Sequence, residues 1–315
     1  ITGGNVAVGI FARADYGTAT VDNSGDIYAS VEGVNGFVGV AAYGILARGE
    51  YAGVTNSGNI EVLGYAAAIG IAASSYYGTT VTTTGGTIEV AALGDATGID
   101  AQSALGDVVV DNASDLDVIG LYTSATGISA VAGGDVSVTN SGSIYAGSLY
   151  GDSIGIYGYS VGGDVSIDNS GAITAISYYG LADGIFASGA NVDVTNSGAI
   201  EVYGYTWAAG IEAQGDDSAT VDNSGDITVI APGFLQVQDY SGVIGYAPGV
   251  QAFGIYATAG EGGVDLTNSG DISVDSGYAT GIEVQSGGDA SIDNSGDIVA
   301  GSGLNSYYNG TNYYT

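Results

Sequence analysis

The sequence contains no Cys, Met or His, and it has only two basic residues and two prolines. Without Cys there is no disulfide framework and no thiol chemistry, which fits an extracellular protein. With neither His nor Lys, common proton-transfer and nucleophilic groups of enzymes are missing. The chain also lacks any run of 18 or more apolar residues, so we expect no transmembrane helix.

Charge is almost entirely of one sign. The 34 acidic residues give a formal net charge of −32. Nucleic acids and anionic membrane surfaces require a basic patch on their partners, so neither is an expected ligand. Because 45% of the 315 residues are hydrophobic, the chain is expected to fold, as one domain over residues 1–315. It shows no signal peptide and does not begin with Met, which favours a mature or excised segment.

A short motif, "VTNSGSI" at 138–144, recurs along the chain. A degenerate copy, "TTTGGTI" at 82–88, places Thr84 at the position of the asparagine. Most copies are about 28 residues apart, a spacing typical of solenoid repeats. The longest gap contains residues 231–250, an expected inserted loop that holds both prolines. The asparagines of the repeated motif are Asn23, Asn56, Asn112, Asn140, Asn169, Asn196, Asn223, Asn268 and Asn294.

A second motif, "GISA" at 127–130 or a close variant, precedes each turn by about a dozen residues. Each copy thus contains three short segments with the alternating pattern of β-strands. In the fifth copy Val136, Val138 and Ile144 share one face, and Asn140 has the same parity. The alternation predicts that these apolar side chains, and the asparagine at the corner, point inward.

These repeats predict an all-β fold, a right-handed parallel β-helix of about ten coils of about 28 residues with three short strands each. At a coil spacing of about 4.8 Å, the rod would be about 48 Å long. Stacked inward asparagines would pass amide hydrogen bonds from coil to coil. The glycine two residues after each of these asparagines except Asn112 would permit a tight corner.

The residue before each corner position is outward and alternates in kind. Aspartate never occupies it in two successive coils, which avoids stacking like charges. The position three residues after the asparagine does not avoid stacked charges, because Asp226, Asp271 and Asp297 occupy it in three successive coils. This column is either a solvated acidic edge or a site for calcium, the one cofactor considered. In chain order, the alternating residues are Asp22, Thr55, Thr83, Asp111, Thr139, Asp168, Thr195, Asp222, Thr267 and Asp293.

Two further groups form a candidate contact surface. Arg13 and Arg48 each follow a "GIxA" segment, so they should stack on adjacent coils. They would pair locally with Asp15 or Glu50, or serve a head-to-tail contact. Tyrosines are expected to form an aromatic ridge between the third segment and the next "GIxA", either packing among themselves or contacting a partner. The tyrosines singled out for this surface are Tyr76, Tyr77, Tyr178, Tyr179, Tyr307 and Tyr308.

The pairing of "VTNSGSI" with "ATGISA" at 125–130 resembles the repeats of bacterial autotransporter passengers and related surface adhesins. This resemblance covers almost the whole chain. It implies secretion to a bacterial cell surface and a role in adhesion, aggregation or biofilm formation.

Three functions follow as expectations. The first is a non-catalytic extracellular fibre whose subunits stack end to end, since both ends fall between coils and should be uncapped. The second is a monomeric adhesin stalk that binds glycans or host surfaces, with a binding loop at 231–250. The third, and least favoured, is a polysaccharide-degrading β-helix enzyme, because the acids are periodic and outward.

Overall fold

The computed structural model describes residues 2–3, 6–31, 41–232 and 250–301, and these ranges contain β-strands and no helix. The first part of the chain has strands β1 (Thr2–Gly3), β2 (Val6–Arg13), β3 (Thr18–Asn23), β4 (Ile27–Val31), β5 (Ala41–Asn56), β6 (Ile60–Gly64), β7 (Ala67–Thr83), β8 (Thr87–Ala92), β9 (Asp95–Ser103), β10 (Asp107–Asn112), β11 (Asp115–Gly120), β12 (Ala125–Ala132), β13 (Val136–Asn140) and β14 (Ile144–Ser148). The second part has β15 (Ser153–Ser160), β16 (Val165–Asn169), β17 (Ile173–Ser177), β18 (Leu181–Asn196), β19 (Ile200–Tyr203), β20 (Trp207–Asn223), β21 (Ile227–Ala231), β22 (Gln251–Ala259), β23 (Val264–Asn268), β24 (Ile272–Ser276), β25 (Tyr278–Ser286), β26 (Ala290–Asn294) and β27 (Ile298–Gly301).

From β2 onward the strands form ten coils, numbered here one to ten, each made of three segments. Each segment pairs in parallel with the same segment of the next coil, so ten coils are joined by nine stacking steps. Coils two, three, seven and eight join their first two segments into one strand of 16 or 17 residues. The predicted all-β parallel β-helix is therefore confirmed; its right-handed sense stays a prediction.

Stacking keeps the sequence repeats in register. Asn140 lies opposite Asn112 on one side and Asn169 on the other. The third segments behave in the same way, with Ile144 between Leu116 and Ile173. Those ten segments, together with β1, form one continuous 11-stranded sheet. A residue's position in the repeat therefore fixes both its neighbours along the rod.

The core is one continuous stack of the residues that the alternation places inside. In coil five Val136, Val138, Ile144 and Ala146 are each at most 2% exposed. The same positions of coils two to nine belong to one hydrophobic cluster, except that coil three has the buried Thr79 at the position of Val136. Burial of such aliphatic side chains stabilises the fold by about 1.5–3 kcal/mol each for Val or Ile. Stacking thus supplies the buried surface that no single coil could provide.

The motif glycines are explained by close packing and not by backbone freedom. None of the "NSG" glycines in the described residues has a positive φ, so these glycines are not needed for a left-handed backbone conformation. A Cβ at Gly198 would overlap the carbonyl oxygen of Gly171 in the preceding coil. The glycine of "GIxA" is also tight, since a Cβ at Gly184 would overlap the side chain of Ile200. Both glycines allow the close approach of backbone and core.

The two edges of the stack differ. Coil ten presents core positions openly, with Ile292 51% and Ile298 40% exposed. In coil one Ala7 and Ala29 are at most 1% exposed, and β1 pairs with β4. Among the described residues, coil ten therefore exposes its core positions and coil one covers some of its own, while the expectation of two uncapped ends stays a prediction. Most of the predicted inserted loop, residues 233–249, lies outside the described residues.

Candidate functional site

A buried asparagine ladder runs along the corner between the second and third segments. The Nδ2 group of Asn140 donates to Oδ1 of Asn169 at 2.7 Å and to the carbonyl of Gly142 at 2.9 Å. The same pair of bonds recurs from Asn112 to Asn268, and these asparagines are 0% exposed. Because each amide donates to the coil that follows it and accepts from the one before, the ladder has a direction along the rod.

One position of the ladder differs from the sequence-based prediction. Thr83, not Thr84, lies opposite Asn56 and Asn112, and its hydroxyl donates to Asn112 Oδ1 at 2.6 Å. The assignment of Thr84 to the ladder was therefore wrong, and Thr82 takes the outward position given to Thr83. This corner contains one residue more than the others. The extra residue is accommodated at Gly85 and Gly86, which adopt φ of 138° and 82°.

The outward column beside the ladder keeps its acids apart. With Thr82 in place of Thr83, every aspartate of the column has only threonine opposite it in the neighbouring coils, on both sides in the inner coils and on one side in coils one and ten. Asp168, for example, is opposite Thr139 and Thr195. Adjacent strands are about 4.8 Å apart, where like charges destabilise a sheet. The alternation read from the sequence is thus an alternation in space.

Other acids stack directly and use their carboxylates as acceptors for backbone N–H groups. The carboxylate of Asp226 accepts from the N–H of Asp271, and that of Asp271 from Asp297, both at 3.0 Å. Asp107 and Asp135 form the same contacts at another corner, at 2.9 Å. Each carboxylate accepts from the coil that follows. Sequence reasoning missed this role, because it depends on coil-to-coil register.

This outer carboxylate ladder gives the column Asp226, Asp271 and Asp297 a structural role without a cation. Calcium binding there stays a prediction. The ranges described contain no group of three or more His, Cys, Asp or Glu side chains arranged to hold a metal ion. A related contact lowers the pKa of Asp115, through hydrogen bonds from the side chain and then the backbone of Ser143.

The two arginines stack as predicted, with Arg13 opposite Arg48 on adjacent strands. Arg13 forms an ion pair with Asp15 at 2.8 Å. Glu50 instead accepts a hydrogen bond from the backbone N–H of Gly17 at 2.9 Å. The expected local pairing therefore occurs for Arg13 and not, within the part of the chain described, for Arg48.

Tyrosines form two ridges and not one. At the corner after the third segment, Tyr150 stacks on Tyr179, with ring centroids 5.2 Å apart and an interplanar angle of 12°. Tyr178 lies beside them and is 54% exposed. Tyr76 and Tyr77 were wrongly placed on this ridge, since they lie inside β7 between its first and second segments. Tyr307 and Tyr308 fall outside the described residues.

Two acids on the outer side of the first segments are buried, which the sequence pattern did not indicate. Asp183 is 4% and Glu212 8% exposed, and Asp183 Oδ1 has no hydrogen-bond partner among the described residues. Burial, then the charges of Glu212 and Asp152, raises the pKa of Asp183 to about 8, against hydrogen bonds from Trp207 and Ala209. Burial likewise raises the pKa of Glu212, against hydrogen bonds from Gln214 and Trp207.

Aromatic rings account for this burial. Trp207 packs against Phe253, with ring centroids 4.9 Å apart, and Phe253 against Tyr256 at 5.1 Å. The sequence feature that could have indicated this burial is Trp207, the only tryptophan of the chain, which lies one coil away from Asp183. Both acids thus lie on the outer side, as expected, but they are shielded from solvent.

Together the stacked coils and the directional corner define the class of protein, a parallel β-solenoid. Comparison with protein-family models, curated protein sequences and solved structures finds no match. The likeness to autotransporter passengers is therefore carried by the repeat residues alone. Among the described residues, no helix has the length and hydrophobicity needed to cross a bilayer.

Proposed function

We propose that the chain is a non-catalytic structural subunit that stacks end to end into an extracellular fibre at a bacterial cell surface. Adhesion and biofilm formation are the roles such a fibre would serve. The observation that carries this proposal is the direction of the corner hydrogen bonds. Through the asparagine amides a coil donates to the next coil, and through the aspartate carboxylates it accepts from the next coil, so the two edges of the stack are complementary to each other.

The asparagine ladder supplies the first complementary pair. Asn294, in coil ten, donates to the carbonyl of Gly296 at 2.8 Å and accepts from Asn268. In the rungs from Asn112 to Asn268 the second N–H of this amide donates to the asparagine of the following coil. Asn23, in coil one, donates to Asn56, and no donor in the described chain reaches its Oδ1. A second copy placed on coil ten would extend the ladder from Asn294 to Asn23.

The outer carboxylate ladder supplies a second pair at the same corner. Asp297 in coil ten donates its backbone N–H to Asp271, and within the ranges described its own carboxylate has no donor. In coil one the carboxylate of Asp26 accepts from the backbone N–H of Asn59 at 3.1 Å. The N–H of Asp26 occupies the position that would donate to Asp297 of a preceding copy.

Apolar surface favours the same contact. Ile272 in coil nine is 1% exposed because coil ten covers it, whereas its counterpart Ile298 is 40% exposed. Because the two complementary edges are different surfaces, the contact is head to tail, and such contacts build open filaments. Docking on coil one requires rearrangement at its covered first and third segments.

The test compares two matched variants by negative-stain electron microscopy. In β27 Ile298 points to the core and Val299 points outward, with 67% of its surface exposed. Ile298→Asp places a charge in the proposed contact, and Val299→Asp places the same charge beside it. The wild type and Val299→Asp should form long uniform fibres, and Ile298→Asp only short rods. Short rods for all three proteins would refute the fibre and favour the monomeric stalk.

The remaining functions have their own tests. Glycan binding that disappears on deletion of residues 231–250 would support the adhesin stalk with a binding loop there. Hydrolysis of a polysaccharide that is lost on substitution of one aspartate would overturn the non-catalytic assignment. Asp183 and Glu212 are the acids to substitute first, because burial raises the pKa of each.

A further inference from the structure

A groove of about 590 Å³ lies on the outer surface of coils one to three. Its walls bring together two guanidinium groups, two carboxylates and three aromatic rings. This volume is in the range of small-molecule sites. The groove holds both of the basic residues of the chain. The side chains that the argument uses are Arg13, Asp15, Arg48, Glu50, Tyr76 and Tyr77.

Arg48 is the group in the groove that is left for a ligand. Arg13 is held by Asp15 at 2.8 Å, and Glu50 is turned toward the backbone N–H of Gly17. Arg48 is exposed and forms no ion pair in the described part of the chain. A guanidinium presents a planar fork of donors that matches a carboxylate with two parallel hydrogen bonds.

Tyr77 extends the site beyond the groove. It packs edge-on against Tyr76, with ring centroids 4.8 Å apart, and tilted against Tyr51 at 5.8 Å. A second groove of about 500 Å³ begins on the other side of Tyr77 and is lined by Thr18, Thr80 and other residues. Tyr76 and Tyr77 are half exposed, so apolar ring surface and phenol groups face the solvent along both grooves.

From this arrangement we propose that the two grooves bind a saccharide chain that carries a single carboxylate, such as a uronic acid residue. Arg48 holds the carboxylate. Tyr77 packs against the apolar face of a sugar ring, and Glu50 and the threonine hydroxyls bond to sugar hydroxyls. The net charge of −32 opposes polyanions, so the ligand carries an isolated acid group on an otherwise neutral chain.

Calorimetric titration with two matched disaccharides tests this site. One ends in glucuronic acid and the other in glucose, so they differ only in the carboxylate. The wild type should bind the acidic disaccharide at least 10-fold more tightly. Arg48→Gln should abolish that preference, because it keeps much of the length of the side chain and removes the charge. Tyr77→Ala should weaken both ligands about 10-fold.

Two controls separate the site from general surface effects. Tyr179→Ala removes an equally exposed tyrosine from the other ridge and should leave both affinities unchanged. Circular dichroism spectra should show the same β-structure for every variant. The proposal is overturned if the wild type binds neither disaccharide, if it binds both equally, or if Arg48→Gln keeps the preference. These outcomes do not depend on fibre formation, since the titration can use the non-assembling Ile298→Asp protein.

Discussion

The side-chain amide of Asn140 donates to Oδ1 of Asn169 at 2.7 Å, and its second N–H closes the corner on the carbonyl of Gly142. One side chain thus shapes its own turn and binds the next coil. The same two bonds recur along the ladder, so each of these asparagines holds both a turn and a contact between coils. It explains why a short motif recurs over a chain that has no disulfides.

Asn140→Ala should lower the free energy of unfolding by about 3 kcal/mol, because it leaves buried polar groups of Asn112, Asn169 and Gly142 unpaired. Urea denaturation followed by circular dichroism measures the change. The control is Thr139→Ala, which removes the neighbouring outward side chain and should change stability by at most about 0.5 kcal/mol. Equal effects of the two substitutions would show that the ladder contributes nothing specific.

Gly198→Ala should destabilise the stack, since the new Cβ would overlap the carbonyl oxygen of Gly171 in the adjacent coil. Coils would have to separate locally, so we expect a loss of about 1–3 kcal/mol, as in overpacked cores. Gly162→Ala is the matched control, because the nearest atom to its new Cβ is 4.0 Å away. Thermal unfolding of both variants gives the comparison. A Gly198→Ala protein as stable as the control would contradict the close stacking of the corners.

Thr195→Asp should destabilise the protein by up to about 1 kcal/mol at neutral pH, because it puts three carboxylates in successive coils with Asp168 and Asp222. The loss should shrink when salt is raised to about 1 M, where the screening length is about 3 Å. Thr195→Asn has nearly the same shape without the charge and should be close to neutral. Salt-independent destabilisation by both variants would point to packing and not to repulsion.

Asp183→Asn should change how stability depends on pH. The folded pKa of Asp183 is raised to about 8 from the usual 3.8, so its contribution is complete below about pH 4 and is lost as pH rises through 8. The amide cannot ionise. The melting temperature of the variant should therefore exceed that of the wild type by an amount that grows from pH 4 to pH 8 and then levels off.

Asp193→Asn, at an exposed position of the same strand, is the control for this pH series. Its melting temperature relative to the wild type should not follow the same rise. If the Asp183→Asn difference were constant from pH 4 to pH 9, the buried carboxyl would not be the titrating group.

The repeat itself could be predicted, because the period-two alternation is visible within each coil and the asparagines recur once per coil. The inward positions of Val138 and Asn140 follow from that alternation, and the structure confirms both. The rung at Thr83 could not be predicted, because the copy "TTTGGTI" aligns equally well from either flank. Only the backbone shows that the extra residue is taken up by Gly85 and Gly86.

The buried acids were missed for a different reason. The burial of Asp183 depends on Trp207, which reaches it from the adjacent coil, and on aromatic packing with Phe253. Alternation along one strand says which way a side chain points and not what covers it. The stacking of Arg13 on Arg48 could be predicted from the spacing of the two arginines. The aromatic wall of their groove could not, because Tyr77 was expected at a different corner of the coil.

The most direct test of end-to-end stacking is the mass per unit length of the assembled protein, measured by scanning transmission electron microscopy. Ten coils at about 4.8 Å give about 48 Å per subunit, so a single-stranded fibre of this 30.9 kDa chain should have about 6.4 kDa per nanometre. Fibres at that value, absent for Ile298→Asp, are the predicted result. Particles no longer than one subunit, or fibres at a multiple of that value, would contradict it.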